Sequence, residues 1–190
     1  MSSDRSTGRG AAFSTREMAT AALLAGLLSV SAWVSIPATP VPLTLQLFFV
    51  LLAGLLLRPP VAGAAALVYL LLGVAGLPVF SSARGGAAIL FGPTGGYLWG
   101  FLLAAVTVAF LRKVKGAASP LGRDLLAACA GLVVLYLAGW LQLMAVTGLN
   151  PWGAIVAGVL PFLGLDLGKA FLAVLAARFL RRVLPQRQEQ

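Results

Sequence analysis

Apolar runs of membrane length recur along this chain, roughly at residues 17–36, 43–57, 60–78, 93–111, 124–147 and 162–182. A helix needs about 20 apolar residues to cross a hydrocarbon core of about 30 Å. Six such runs with short connections predict an all-α membrane protein with six transmembrane helices. Composition supports this reading over a soluble one. The 190 residues are 60% hydrophobic and only 10% charged, with a mean hydropathy of +0.98, more apolar surface than a soluble domain of this size can hide.

The net charge of +9 does not indicate nucleic acid, because the basic residues lie in small groups between oily runs rather than in one patch. Their placement predicts orientation instead. Arg5, Arg9 and Arg16 precede the first run, and Arg58 lies between the second and third. Arg112, Lys113, Lys115 and Arg123 lie between the fourth and fifth, and Arg178, Arg181, Arg182 and Arg187 close the chain. On the opposite side only Arg84 occurs. Both termini are therefore expected in the cytosol. Residues 1–15 read as a disordered cytoplasmic tail, 16–182 as the transmembrane domain and 183–190 as a second cytoplasmic tail. Val30-Ser31-Ala32 resembles a signal cleavage site, but the long spans that follow favour residues 17–36 as a retained span.

Several chemistries are disfavoured. The chain has no histidine and one cysteine, so zinc sites and Ser–His–Asp or Cys–His machinery are not expected. Cys129, inside an apolar run, reads as a small buried hydrophobe. No GxxxxGK[ST] occurs, so no P-loop ATPase is expected. Aspartyl chemistry needs two facing carboxylates, and Asp166 has no evident partner carboxylate.

The polar groups inside the apolar runs carry the functional signal. Asp166 and Lys169 sit three residues apart in LGLDLGKAFLAVLAARFLRR (163–182). Counting back from Arg181 and Arg182 places them within two turns of the outer surface, and Pro161 and Gly164 suit a helix start. Residues 150–160 read as a short outer re-entrant or interfacial helix. At i, i+3 the two charges can pair on one helix face. They can also line a polar cavity that meets a ligand, since an intramembrane charge is expensive and marks function by default. Thr44 and Gln46 follow the proline-rich PATPVPLTLQ, whose Pro37, Pro40 and Pro42 predict irregular extended backbone. Gln46 suits either an interhelical hydrogen bond or a ligand contact. Arg84 is followed by Gly85 and Gly86, which allow a tight loop. Gly92-Pro93-Thr94-Gly95-Gly96-Tyr97 opens the fourth run with glycines that permit close backbone approach.

These motifs resemble the BioY family. The resemblance rests on GPTGGY (92–97), LPVF (77–80), PVPLTLQ (40–46) and the late Pro161-Phe162, Asp166, Lys169-Ala170 pattern, and it spans residues 16–182. It implies the biotin-binding S component of an energy-coupling factor (ECF) transporter in a bacterial or archaeal-type cell membrane. That implies a six-helix S-component bundle, an outward-facing biotin site, a membrane T-component partner and two cytoplasmic ABC-type ATPases. No cofactor is implied beyond the biotin ligand. Asp166 then accepts a ureido N–H, and Lys169 donates to the ureido carbonyl or the carboxylate. Arg84 takes the carboxylate, Gln46, Thr44 and Tyr97 complete the polar contacts, and Phe80, Phe91 and Trp152 pack the thioether ring. Ala21/Ala25 and Ala22/Gly26 resemble the small-residue face on which S components dock. An S component for another vitamin or heterocycle, and a membrane scaffold without a ligand, are the alternatives.

Overall fold

The computed structural model describes residues 13–36, 41–114 and 119–183. Most of the two expected tails, together with Pro37, Pro40 and Lys115, lies outside the described residues.

The apolar runs fold as helices, with ends set by local chemistry. Helix α1 (Thr15–Ser31) starts at a capping box, in which the Ser14 hydroxyl accepts from the Glu17 amide and the Glu17 carboxylate accepts from the Ser14 amide. A two-stranded antiparallel hairpin follows, β1 (Ser35–Ile36) pairing with β2 (Leu43–Thr44). Helices α2 (Gln46–Leu56) and α3 (Pro59–Val74) come next, α3 opened by prolines in its first turn. A 3-10 turn (Ser81–Ala83) and a single-turn helix α4 (Ala88–Phe91) lead into α5 (Gly95–Leu111). Helix α6 (Pro120–Thr147) runs from the Ser119 cap to Gly148, which stops it at φ +71°. The short α7 (Pro151–Gly158), capped by Asn150, turns the chain into α8 (Leu160–Val183).

The boundaries refine the sequence reading. The first run ends as helix at Ser31, and residues 43–44 are strand rather than the start of α2. Gly164 lies inside α8 rather than at its start, although Pro161 does occupy the first turn. The expected short helix over 150–160 is α7. Helices α6 and α8 are each long and apolar enough to cross a membrane by length and composition, while α2, α3 and α5 are shorter apolar helices.

Helices α5 and α6 form the most extensive pair, α2 packs on both α5 and α8, and α3 lies between α1 and α5. The motif GPTGGY explains the α5–α6 contact. A Cβ on Gly96 would lie 2.3 Å from the Ala138 carbonyl oxygen of α6, so only glycine lets the two backbones meet there. The Gln142 amide, also on α6, donates to the carbonyls of Leu90 and Gly92 at 2.8 and 2.9 Å and fixes the turn that leads into α5.

The outward helix faces are apolar. Leu71, Leu103, Phe110, Leu126, Phe171 and Phe179 are all exposed, as suits lipid-facing surface and not water. Cys129 corrects the sequence reading: it is exposed, not buried, because it falls on the outward face of α6 beside the buried Ala127 and Ala128. The two ends differ as well. Arg58, Arg112, Arg123 and Arg181 gather at one end, where Arg58 joins Glu17 in a two-pronged ion pair. All four tryptophans of the chain (Trp33, Trp99, Trp140, Trp152) belong to helix segments or turns at the other end, the position that amphipathic rings take at a membrane–water interface.

Candidate functional site

At the tryptophan-rich end, Asp166 sits in the second turn of α8. It is 6% exposed, and a carboxylate so buried requires partners. It has two. Lys169 Nζ donates to Oδ1 at 2.7 Å, and the Tyr136 hydroxyl on α6 donates to Oδ2 at 2.7 Å. Lys169 Nζ also donates to the Thr44 backbone carbonyl at 2.7 Å. One network thus ties α8, α6 and strand β2 together. The i, i+3 pairing predicted from sequence is present, and it also lines a hollow.

That hollow has a volume of about 60 Å³, room for a few waters and below the roughly 300–1,000 Å³ of small-molecule sites, so a ligand needs it to open. Asp166, Lys169 and Tyr136 form its polar side. Phe101, Leu135 and Phe162 supply apolar wall, and Pro42 to Thr44 of the hairpin cover it. A second hollow of about 40 Å³ adjoins it, sharing Val41, Pro42, Thr44, Tyr97 and Phe101 and adding Gln46, Ser81 and Thr94. The pair reads as one two-lobed space, charged in one lobe and neutral-polar in the other.

Donor and acceptor capacity decides what the charged lobe can hold. A carboxylate offers about four lone-pair positions, and an ammonium offers three protons. Asp166 engages two donors and Lys169 engages two acceptors. About two acceptor positions and one donor therefore remain for a ligand.

Tyr97 holds the wall in place. Its hydroxyl donates to the Gly158 carbonyl of α7 at 2.8 Å. Its ring lies against Gly139 of α6, where a Cβ would fall 2.3 Å from Tyr97 Cε1. The residue lines both lobes, but its hydroxyl is committed to the backbone.

The other sequence-predicted residues divide. Gln46 is 2% exposed and donates through Nε2 to the Tyr69 hydroxyl of α3 at 2.5 Å, the interhelical bond weighed for it, while also lining the second lobe. Thr44 takes part through its carbonyl, because β2 turns that carbonyl toward α8. Arg84 is exposed. Its Nε donates to the Ser81 carbonyl at 3.3 Å, which sets the guanidinium at the rim beside a residue of the second lobe. Phe80 is a buried plug against Tyr69 and the notch at Gly73, and it touches neither lobe. Phe91 and Trp152 are 73% and 67% exposed and line neither lobe. Their positions at the ends of α4 and α7 turn both rings outward. Ala21 and Ala25 are buried within the bundle, whereas Ala22 and Gly26 form the open face of α1. Sequence reasoning missed Tyr136 and Tyr69. A tyrosine inside an apolar span needs a partner for its hydroxyl, and that demand is the signal that could have flagged both. Among the described residues no three His, Cys, Asp or Glu side chains come together as a metal site.

Known proteins share this sequence pattern and fold. Residues 4–186 match the sequence model of the BioY family. The probable biotin transporter BioY of Pyrococcus horikoshii is 42% identical over 167 residues, 87% of this chain and 96% of that protein. The biotin transporter BioY of Thermotoga maritima is 39% identical over 173 residues, 90% of this chain and 99% of that protein. The crystal structure of an S-component for biotin from an ECF-type ABC transporter superposes with a TM-score of 0.82 at 26% identity, covering 90% of this chain and 95% of that one. The chain therefore has the S-component fold.

Proposed function

The chain belongs to the BioY family, and from that premise we propose that it takes up biotin as the substrate-binding S component of an ECF-type transporter. One observation carries the ligand assignment: the charged lobe keeps about two acceptor positions on Asp166 and one proton on Lys169. A cyclic urea presents two N–H donors and one carbonyl acceptor. The ureido ring matches the free donor and acceptor positions of the Asp166–Lys169 lobe, and the apolar wall at Phe101 and Phe162 takes the thioether ring once the lobe opens. The valerate chain runs through the lobe of Gln46 and Thr94 toward Arg84 at the rim. A site whose buried polar groups are satisfied only by the right ligand rejects analogues that lack those groups.

The remaining assignments follow the same reading. Six helices cross the bilayer, both termini lie in the cytosol with the basic end, and the site opens outward. Energy comes from a T-component and two ATPases, consistent with a chain that carries no P-loop. The open Ala22/Gly26 face of α1 is the docking surface, since Ala21 and Ala25 are already packed inside.

Titration calorimetry of biotin against the purified protein tests the ligand. Tight binding that is lost in Asp166→Asn and in Lys169→Ala is the expected result. Tight binding that survives both substitutions refutes the site, and absence of binding refutes the ligand. A thermal-shift panel of other vitamins then identifies an alternative. Co-purification with tagged protein tests the partners.

A further inference from the structure

At the end opposite the ligand hollow, four charged side chains converge. Arg112 follows the last residue of α5, Arg123 and Asp124 lie in the first turns of α6, and Arg181 lies in the last turn of α8. Arg181 Nη1 stands 3.1 Å from Asp124 Oδ2. Arg112 is near enough to feel the charges of Arg181, Asp124 and Arg123. Three positive charges face one negative charge. The carboxylate lies at the bottom, 1% exposed, while the Arg181 side chain keeps 23% of its surface, so the guanidiniums stand between Asp124 and the outside.

The hydrogen bonding of this cluster is incomplete. Arg112 Nε, Arg123 Nε, and Arg181 Nε and Nη2 are buried without a partner, and the Asp124 oxygens have no well-aligned donor. Among the described residues, every buried side-chain nitrogen or oxygen without a hydrogen-bond partner belongs to these four residues. Arg112 Nη2 reaches only the Leu56 carbonyl, at 3.4 Å, longer than a normal bond. Buried polar groups are nearly always satisfied, and a cluster of exceptions calls for a specific explanation. The N-terminus of α6 adds the positive end of a helix dipole at the same place.

We infer that Arg112, Arg123 and Arg181, framed around Asp124, form a binding site for one phosphate-type anion at the basic end of the bundle. Guanidinium forks match phosphate oxygens two at a time. A net excess of positive charge beside unpaired donors favours an anion over water. Basic pockets between helix ends on the cytoplasmic side suit anionic lipid headgroups, and a free phosphate offers the same oxygens. Asp124 keeps the arginines gathered when the anion is absent. The inference does not depend on biotin being the ligand at the other end.

The test uses the full chain, delipidated in neutral detergent, with melting temperature as readout. Phosphatidylglycerol, phosphatidylcholine, inorganic phosphate and an ionic-strength-matched chloride control are compared. Phosphatidylglycerol is expected to raise the melting temperature above the phosphatidylcholine value, because a ligand bound only by the folded state stabilises it. Arg123→Gln should lose most of that shift. Lys113→Gln, an equal charge change at an exposed neighbour, should keep it. A shift reproduced by inorganic phosphate assigns the site to free phosphate, and one confined to the lipid assigns it to a headgroup. Both outcomes support the site. Equal responses to phosphatidylglycerol and phosphatidylcholine, with none to phosphate, overturn it. So does an equal loss in the two variants, which indicates diffuse surface charge. If Arg123→Gln does not fold, native mass spectrometry of the wild-type protein decides: preferential retention of phosphatidylglycerol over phosphatidylcholine supports the site, and indiscriminate loss overturns it.

Discussion

The Tyr136 hydroxyl donates a 2.7 Å hydrogen bond to Asp166 Oδ2, joining the middle of α6 to the second turn of α8 inside the hollow. That bond orients the carboxylate so that its other oxygen meets Lys169. Hydrogen bonds to charged groups contribute about 1.5–3 kcal/mol. Tyr136→Phe is therefore expected to weaken biotin binding by about tenfold to a hundredfold, with the fold retained. Calorimetry on the variant checks this, and an unchanged affinity would remove Tyr136 from the site.

Lys169 does more than balance Asp166, because the same ammonium holds the Thr44 carbonyl of β2. Among the described residues two pairs join β1 to β2, so the hairpin has little stability of its own. Lys169→Ala should release it. Deuterium exchange at the Leu45 amide, which donates to the Val34 carbonyl, is expected to speed up in Lys169→Ala and to stay near wild type in Tyr136→Phe. Equal protection in both variants would show that the hairpin does not depend on α8.

Glycine positions separate contact from mere tolerance. Gly139→Ala sets a methyl 2.3 Å from the Tyr97 ring, and overpacking of this kind costs about 1–3 kcal/mol. It should lower the melting temperature and disturb the hollow that Tyr97 lines. Gly168→Ala, where nothing lies within 4 Å of the added methyl, should instead stabilise α8 by up to about 1 kcal/mol through helix propensity. Melting temperatures of the two variants should move in opposite directions.

Much of the architecture was legible because apolar runs are local signals. Each run became a helix within a few residues of its expected ends, and α7 stood within the short helix expected over 150–160. The hairpin was not legible as strands. Two residues per strand carry no periodicity, and the prolines predict only irregular extended backbone. The Asp166–Lys169 pair was legible from cost alone, since lipid does not tolerate unpartnered charge. Its third and fourth members, Tyr136 and the Thr44 carbonyl, depend on the packing of α6 and β2, which no spacing rule reveals. Phe91 and Trp152 lie where sequence alone does not reveal side-chain direction. Aromatic residues near a candidate site read as ring-packing groups, yet helix ends at an interface turn such side chains outward, and both are exposed.

At the basic end, Asp124 is the acid that, among the described residues, stands with Arg112, Arg123 and Arg181. Removing one member of a buried ion pair leaves the other uncompensated, at a cost of about 3–5 kcal/mol. Asp124→Asn keeps the shape of the side chain and removes its charge, so three guanidiniums then repel without a counterion. The variant should melt well below wild type and recover part of the loss at high salt, which screens the repulsion. A melting curve at low and high salt checks both parts. A variant as stable as wild type would mean that the arginines spread into solvent without their acid.

The α1 surface yields the last prediction. Ala25 is buried against the bundle, whereas Ala22 and Gly26 face outward with open space at Gly26. Leucine on the two faces should therefore have different consequences. Ala25→Leu forces extra volume into a packed interface and should lower stability first. Ala22→Leu leaves the bundle intact, but its side chain stands between α1 and any helix that approaches closely through small residues. It should retain full biotin affinity by calorimetry while losing the T-component in co-purification. Co-purification undiminished in Ala22→Leu and in Gly26→Leu would move the docking surface off this face of α1, whatever the outcome for the ligand.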